Sequence, residues 1–247
     1  MTGSVVSSIT RMGKIEPFDL QVARGQITMH SKVDIFGYQS AVTTAQYAVW
    51  ENVADYVFPS SALTMTITGT ASDTASILIS GLDANYAPIS ETVVLNGSTG
   101  VPTTKQYLRV NNMSVTAGSA TNPAGAVTCT NGGVTYAKIN AGVGATQMSI
   151  YTVPAGYTFY LSRIDATTSL NGNNAAFINY RNKNVFSSGV VTYRAQSAFT
   201  QNYRIQRVMP LTIPEKTDMQ FQCSTSTGTA VVGIFVEGYL IKNDGQP

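Results

Sequence analysis

The chain has 247 residues, of which 43% are hydrophobic and only 11% are Asp, Glu, Lys or Arg, and its formal net charge is +2. It is long enough for one large or two ordinary cores and too apolar for intrinsic disorder. Its small charge argues against a dedicated nucleic-acid binder and leaves little self-repulsion to keep copies apart.

The first forty residues show no helical period and no sustained strand alternation. They are read as an extended N-terminal arm over residues 1–35. Its scattered apolar side chains Ile15, Phe18, Leu20, Val22 and Ile27 are candidates for docking on a neighbour by strand addition, with ordering coupled to binding. No charged region followed by a hydrophobic block opens the chain, so no secretory signal is expected. No apolar run approaches the roughly 18 residues of a membrane span, and no membrane partner is expected.

"AQYAVWENVADYVFP" reads as a short helix or an aromatic-rich turn anchored by Trp50, Tyr56 and Phe58. "LTMTIT" then alternates Leu63, Met65 and Ile67 with Thr64, Thr66 and Thr68, the period of a half-buried strand. "ASILISGLD" follows the turn-rich "GTASDTA". "ETVVLNGSTGVPT" carries a hairpin signal at Asn96-Gly97. "KQYLRVNNMSVTAG" reads as a strand with a bulge or kink near Asn111-Asn112, and two strand pieces flank Asn131-Gly132-Gly133. These segments predict about six strands between Ala62 and Ile139, within a first β-sandwich domain over 36–139.

"NAGVGATQ" reads as the crossover into a second domain over 140–247. Two strands flank Pro154-Ala155-Gly156, and a turn is expected at Asn171-Gly172. Met219, Phe221 and Cys223 alternate with Gln220 and Gln222, and "AVVGIFVEGYLI" is a long closing strand. The fold class expected is all-β: two antiparallel β-sandwich domains, the second jelly-roll-like, preceded by the arm. From Val134 onward nine Lys/Arg face five Asp/Glu, against six and eight before it, a polarity suited to head-to-tail contact.

Catalytic constellations are scarce. His30 is the one histidine, and it lies in the leader, so any Ser-His-Asp or Cys-His arrangement would have to use it. There is no G-x-S-x-G elbow and no P-loop, and "GVGATQ" lacks the third glycine of a dinucleotide fingerprint. Cys129 and Cys223 have no metal-ligand spacing and read as buried free thiols, with a disulfide between them as the alternative. Asp83 and Asn85 read as an Asx turn without a metal. No enzyme activity, cofactor or metal is expected. "VTYRAQSAFTQNYRIQR" interleaves Tyr193, Phe199 and Tyr203 with Arg194, Arg204 and Arg207. That mixture suits an interface hot spot or strand packing under arginine stems, ahead of stacking on nucleic acid or glycan.

Phe36-Gly37, then Trp50, Tyr56, Phe58 and Pro59, lead to the G-L-D-x-x-Y turn (Gly81 to Tyr86) and the E-T-V-x-L-N-G segment (Glu91 to Gly97). V-P-A-G (Val153 to Gly156), P-E-K-T-D (Pro214 to Asp218) and E-G-Y-L (Glu237 to Leu240) follow. In this order and spacing, from about residue 30 on, the chain resembles a family of virion structural proteins of tailed bacteriophages, many from marine or cyanobacterial hosts. The resemblance implies a non-enzymatic protein made in the host bacterial cytoplasm and located in the virion. It implies a capsid decoration (cement) or head–tail (neck) accessory subunit, a homo-oligomer such as a trimer or ring. Its partners would be major capsid, portal/adaptor or tail subunits. The alternative is a tail fibre or receptor-binding subunit contacting host surface glycan.

Overall fold

The computed structural model of the protein describes residues 10–11, 14–52, 54–70, 72–116, 122–171, 174–184 and 190–243. It opens with a two-residue ribbon, β1 (Thr10–Arg11) against β2 (Lys14–Ile15), then a short helix α1 (Phe18–Ala23), β3 (His30–Val42) and β4 (Tyr47–Ala48). Seven strands follow: β5 (Leu63–Thr68), β6 (Ser76–Leu82), β7 (Pro88–Val94), β8 (Val101–Tyr107), β9 (Arg109–Val115), β10 (Val127–Asn131) and β11 (Val134–Ile139). The last seven are β12 (Ile150–Thr152), β13 (Tyr157–Thr168), β14 (Ala176–Asn184), β15 (Val191–Phe199), β16 (Asn202–Ile213), β17 (Thr217–Thr225) and β18 (Ala230–Lys242). The fold is all-β, in antiparallel sheets.

The sheets stack as two sandwiches. One pairs the sheet β11-β10-β5-β8 with the sheet β7-β6-β9 around Met65, Ile67, Ile77, Ile79, Tyr107 and Met113. The other pairs β16-β13-β18-β3 with β12-β17-β14-β15 around Phe159, Leu161, Tyr180, Phe221, Ile234 and Val236. The alternation read in "LTMTIT" has its physical outcome here: Met65 and Ile67 are fully buried, and the threonines between them face outward. β-Branched Thr suits such a half-covered pleat.

The division of the chain differs from the expected 1–35, 36–139 and 140–247. β3 pairs along its whole length with the closing strand, from Ala230↔Val42 to Ile241↔His30. The stretch expected to end an arm and start the first sandwich is therefore an edge strand of the other sandwich. β4 and β12 both pair with β17, β4 at Cys223 and Gln222 and β12 at Gln220, Met219 and Asp218. They are two halves of one strand position, and the first sandwich is inserted between them. Alternation along the split strand serves both cores. Ala48, Trp50, Met148 and Ile150 face the inserted sandwich, while Val49, Tyr151 and Val153 face the other.

The leader is not extended throughout. Residues Phe18–Ala23 are helical, entered from Pro17 (φ −56°), whose fixed φ suits a helix start and whose missing N–H costs nothing there. Six residues are too few to hold a helix alone; burial of Gln21 and Val22 against the body holds this one.

One turn reading is also corrected. Asn96-Gly97 does not close a hairpin, because β7 and β8 belong to opposite sheets of the sandwich; Gly97 (φ +56°) instead turns the chain from one sheet to the other. In "KQYLRVNNMSV" the irregularity read near Asn111-Asn112 is present: Ser80 pairs with Asn112 and Gly81 with Val110, so Asn111 is the extra residue of a bulge, and the chain also changes sheets at Leu108. Asn131-Gly132-Gly133 does close the β10–β11 hairpin, its two glycines at φ +55° and +81°, values that glycine adopts without Cβ strain. The segment around Trp50 is a turn and not a helix, with Trp50, Tyr56 and Phe58 packed edge to face at 5.2 and 5.0 Å. Gly172 lies outside the described residues.

Candidate functional site

The residues singled out in the leader separate in the structure. Of Ile15 only the backbone is described, opposite Thr10. Val22 is buried and Ile27 half-buried, whereas Phe18 and Leu20 are exposed. The Phe18 ring lies edge-on to His30 and Tyr239, at 5.9 and 5.6 Å, and the Tyr239 hydroxyl donates to Asp19. His30 Nδ1 sits 2.9 Å from the Thr28 carbonyl. Residues 18–30 thus pack on their own body, in place of the free arm expected there.

The aromatic–arginine stretch is also dispersed, because it spans the link between the two sheets of one sandwich. Tyr193 and Arg194 stand exposed on β15, Phe199 is in the core, and Tyr203 is half-buried 5.8 Å from Phe199. Arg204 donates from Nε to Asp165 at 3.0 Å, and Arg163 binds the same carboxylate. No continuous aromatic platform forms from these residues.

Arg207 marks a feature the sequence reading passed over. Across β13 and β16, Leu161 faces Leu211 and Arg163 faces Gln206. Ser162 alone therefore stands opposite Arg207, Val208, Met209 and Pro210. The surplus residues leave the sheet as a bulge, and its tip is apolar: Val208 is 100% and Met209 82% exposed. The sequence held one signal for it, Pro210 inside a strand, since proline breaks the ladder and is confined to edges and bulges.

The second feature lies where the sandwiches meet. Arg109, at the start of β9, gives a bidentate pair to Asp218 on β17, Nε–Oδ1 2.7 Å and Nη2–Oδ2 2.8 Å. Its Nη1 donates to the carbonyls of Pro59 and Leu108, each at 2.7 Å. The guanidinium lies over the Phe58 and Tyr86 rings, 4.9 and 5.5 Å from their centroids. Thr152 Oγ1 also donates to Asp218, at 2.7 Å. Burial works against the charge on Arg109, but the Asp218 carboxylate outweighs it and holds the guanidinium charged. Arg109 and Asp218 are far apart in the chain, and no local spacing announced their pairing. Gln220 and Gln222, which alternate with the core residues of β17, are buried as well because the segment after β4 covers them; Gln220 Nε2 donates to Tyr56 O at 3.2 Å.

Beside this junction a cleft of about 600 Å³ opens between β3 and the inserted sandwich. Val33, Phe36, Leu82, Ile89, Tyr151 and Tyr157 supply apolar walls, Ser90 and Asn112 lie among its polar lining, and Asp34 is its charged residue.

Among the described residues no group of three or more His, Cys, Asp or Glu is placed to hold a metal ion. Asp83 Oδ1 accepts from the Asn85 and Ala87 N–H groups at 2.8 and 2.9 Å, an Asx turn complete in itself. Cys129 and Cys223 are free and buried, one in each core, and burial pushes both thiols up to about 12. Such thiols are poor nucleophiles and poor ligands.

No family model and no curated protein matches the chain. A solved structure of infectious bursal disease virus, Gt strain, aligns over 94% of this chain and 80% of that one at 10% identity, with a TM-score of 0.21, too low to equate the two folds.

Proposed function

We propose that this protein is a non-enzymatic structural component of a tailed-phage virion, a capsid decoration or head–tail accessory subunit. Numbering the eight strand positions of the larger sandwich in chain order, with β4 and β12 as the second, its sheets run 1-8-3-6 and 2-7-4-5. That order supports reading the larger sandwich as a jelly roll, an architecture that viral capsid and lectin domains use. Because a fold hosts many functions, the carrying observation is a different one: two sandwiches locked by a buried ion pair while apolar side chains stand outward on strands and on the β16 bulge. Phe36 and Tyr193 are exposed on strands and Val208 and Met209 on the β16 bulge, where nothing in the fold requires it. A rigid block with outward apolar contacts suits assembly with capsid, portal/adaptor or tail subunits, or with further copies as a trimer or ring.

Mass spectrometry and cryo-electron microscopy of purified particles test this reading. The protein is expected in the particle as a repeated subunit, with hundreds of copies for a decoration protein and six or twelve for a neck subunit. Its absence from particles, or turnover of a host polysaccharide by the purified chain, would overturn the reading.

A further inference from the structure

The apolar bulge and the apolar cleft lie at opposite ends of one sheet. In the order β16-β13-β18-β3, the bulge Arg207–Pro210 belongs to one edge strand and the cleft wall Ser31–Phe36 to the other. A knob on β16 is thus separated from its own cleft by the width of the sheet, and only another molecule brings the two together. We propose that the Val208–Met209 knob of one copy inserts into the β3 cleft of the next, so that copies associate head to tail. This deepens the structural reading given above and rests on it.

Three observations support a second copy as the occupant. First, the knob is the wrong chemistry for a device that only blunts an edge. Natural edge protection places charges or proline outward; here Pro210 follows a fully exposed Val208 and an 82% exposed Met209. Met is enriched at interface cores because its flexible thioether fits irregular holes. Second, the cleft has a shape and lining to receive it: about 600 Å³, with Val33, Phe36, Leu82 and Ile89 on its walls. Third, the charges are complementary. At the foot of the knob, Arg163 and Arg204 share the Asp165 carboxylate, Arg163 also reaches Glu237 at 3.9 Å, and Arg207 adds a further positive charge, which leaves three arginines against two carboxylates. The charged group of the cleft is Asp34, which shares Lys32 with Glu237 at 3.2 and 2.9 Å. A knob on one surface and a hole on another make a heterologous contact, which closes into a ring or continues as a filament according to the rotation between copies.

Sedimentation velocity of the full chain over a concentration series tests the contact. Wild type is expected to form larger species as concentration rises. Met209→Asp, on an exposed side chain, and Ser90→Trp, which fills the cleft mouth, are each expected to weaken that association by roughly tenfold or more. Unchanged circular dichroism would show that both variants fold. A single chain carrying Ser90→Cys and Met209→Cys is expected to give a ladder of disulfide-linked multimers under oxidation, while each single variant stops at dimers. A wild type that stays monomeric at all concentrations, association indifferent to both substitutions, or no ladder would each overturn the proposal. If the chain is monomeric or indifferent in these assays but present in purified particles, the knob-and-cleft contact fails and the structural reading stands. If host glycan binds the cleft of a monomeric wild type, the occupant is not a second copy.

Discussion

Val49 and Ser149, a hundred residues apart, meet as neighbours. The Ser149 N–H donates to the Val49 carbonyl at 2.9 Å, and the Val49 N–H lies 3.0 Å from Ser149 Oγ and 3.1 Å from the Phe221 carbonyl. The chain leaves the larger sandwich at one and returns at the other. An insertion whose ends lie this close interrupts the host sheet at a single strand position, so both cores stay whole.

Gly37 is the residue that permits this meeting. A Cβ there would stand 2.4 Å from the Val49 carbonyl oxygen and 2.5 Å from Ser149 Cβ. Gly37→Ala is expected to lower stability by roughly 1–3 kcal/mol through overpacking, read as a lower urea midpoint at unchanged slope.

The Arg109–Asp218 pair is buried on both sides, with side-chain exposures of 7% and 4%. Asp218→Ala strands a buried guanidinium and is expected to cost about 3–5 kcal/mol. Replacing both partners, as Arg109→Met with Asp218→Leu, is expected to cost less than Asp218→Ala alone. Thermal melts of the single and double variants check the inequality; equal or greater loss in the double variant would contradict it.

Glu51, at the departure of the insertion, is buried and accepts from the Gln147 N–H at its return. Burial raises its carboxyl from 4.5 to about 7, against the opposing backbone N–H of Gln147. Between those values the unfolded chain has lost the proton and the folded chain keeps it. The contribution is therefore fully present below the lower value and lost as pH rises through the upper one, a change on the order of 3 kcal/mol. Glu51→Gln is expected to flatten this slope and to be more stable than wild type at pH 8, as denaturant titrations across the window would show.

Both thiols are expected to resist alkylation in the native state and to react on unfolding, since Cys129 and Cys223 are at most 1% exposed. A timed labelling series with mass detection reads this directly. Rapid native labelling of either would show that its core opens.

Hydrogen exchange separates a packed leader from a free arm. The amides of Gln21, Arg24 and Gln26 donate to the carbonyls of Pro17, Leu20 and Gln21 at 3.1, 3.0 and 2.9 Å. Protection at these amides in the monomer is expected, and random-coil exchange there would return residues 18–26 to the status of an arm.

What the sequence determined by itself is local. Period-two alternation in "LTMTIT" and in the closing strand sets which side chains turn inward, and the glycine pair at 132–133 dictates a tight hairpin; both arise between residues a few positions apart. Only the tertiary structure decided that His30–Val42 joins the last strand, that 49 meets 149, and that Arg109 finds Asp218. Those are pairings across a hundred residues or more, chosen by which edges and buried charges remain unsatisfied once the sheets stack. The candidate interface divided the same way. Arg207 was visible as an arginine among aromatics, but the knob beside it exists because one strand carries more residues than its partner, and a register mismatch belongs to two strands and not to either alone.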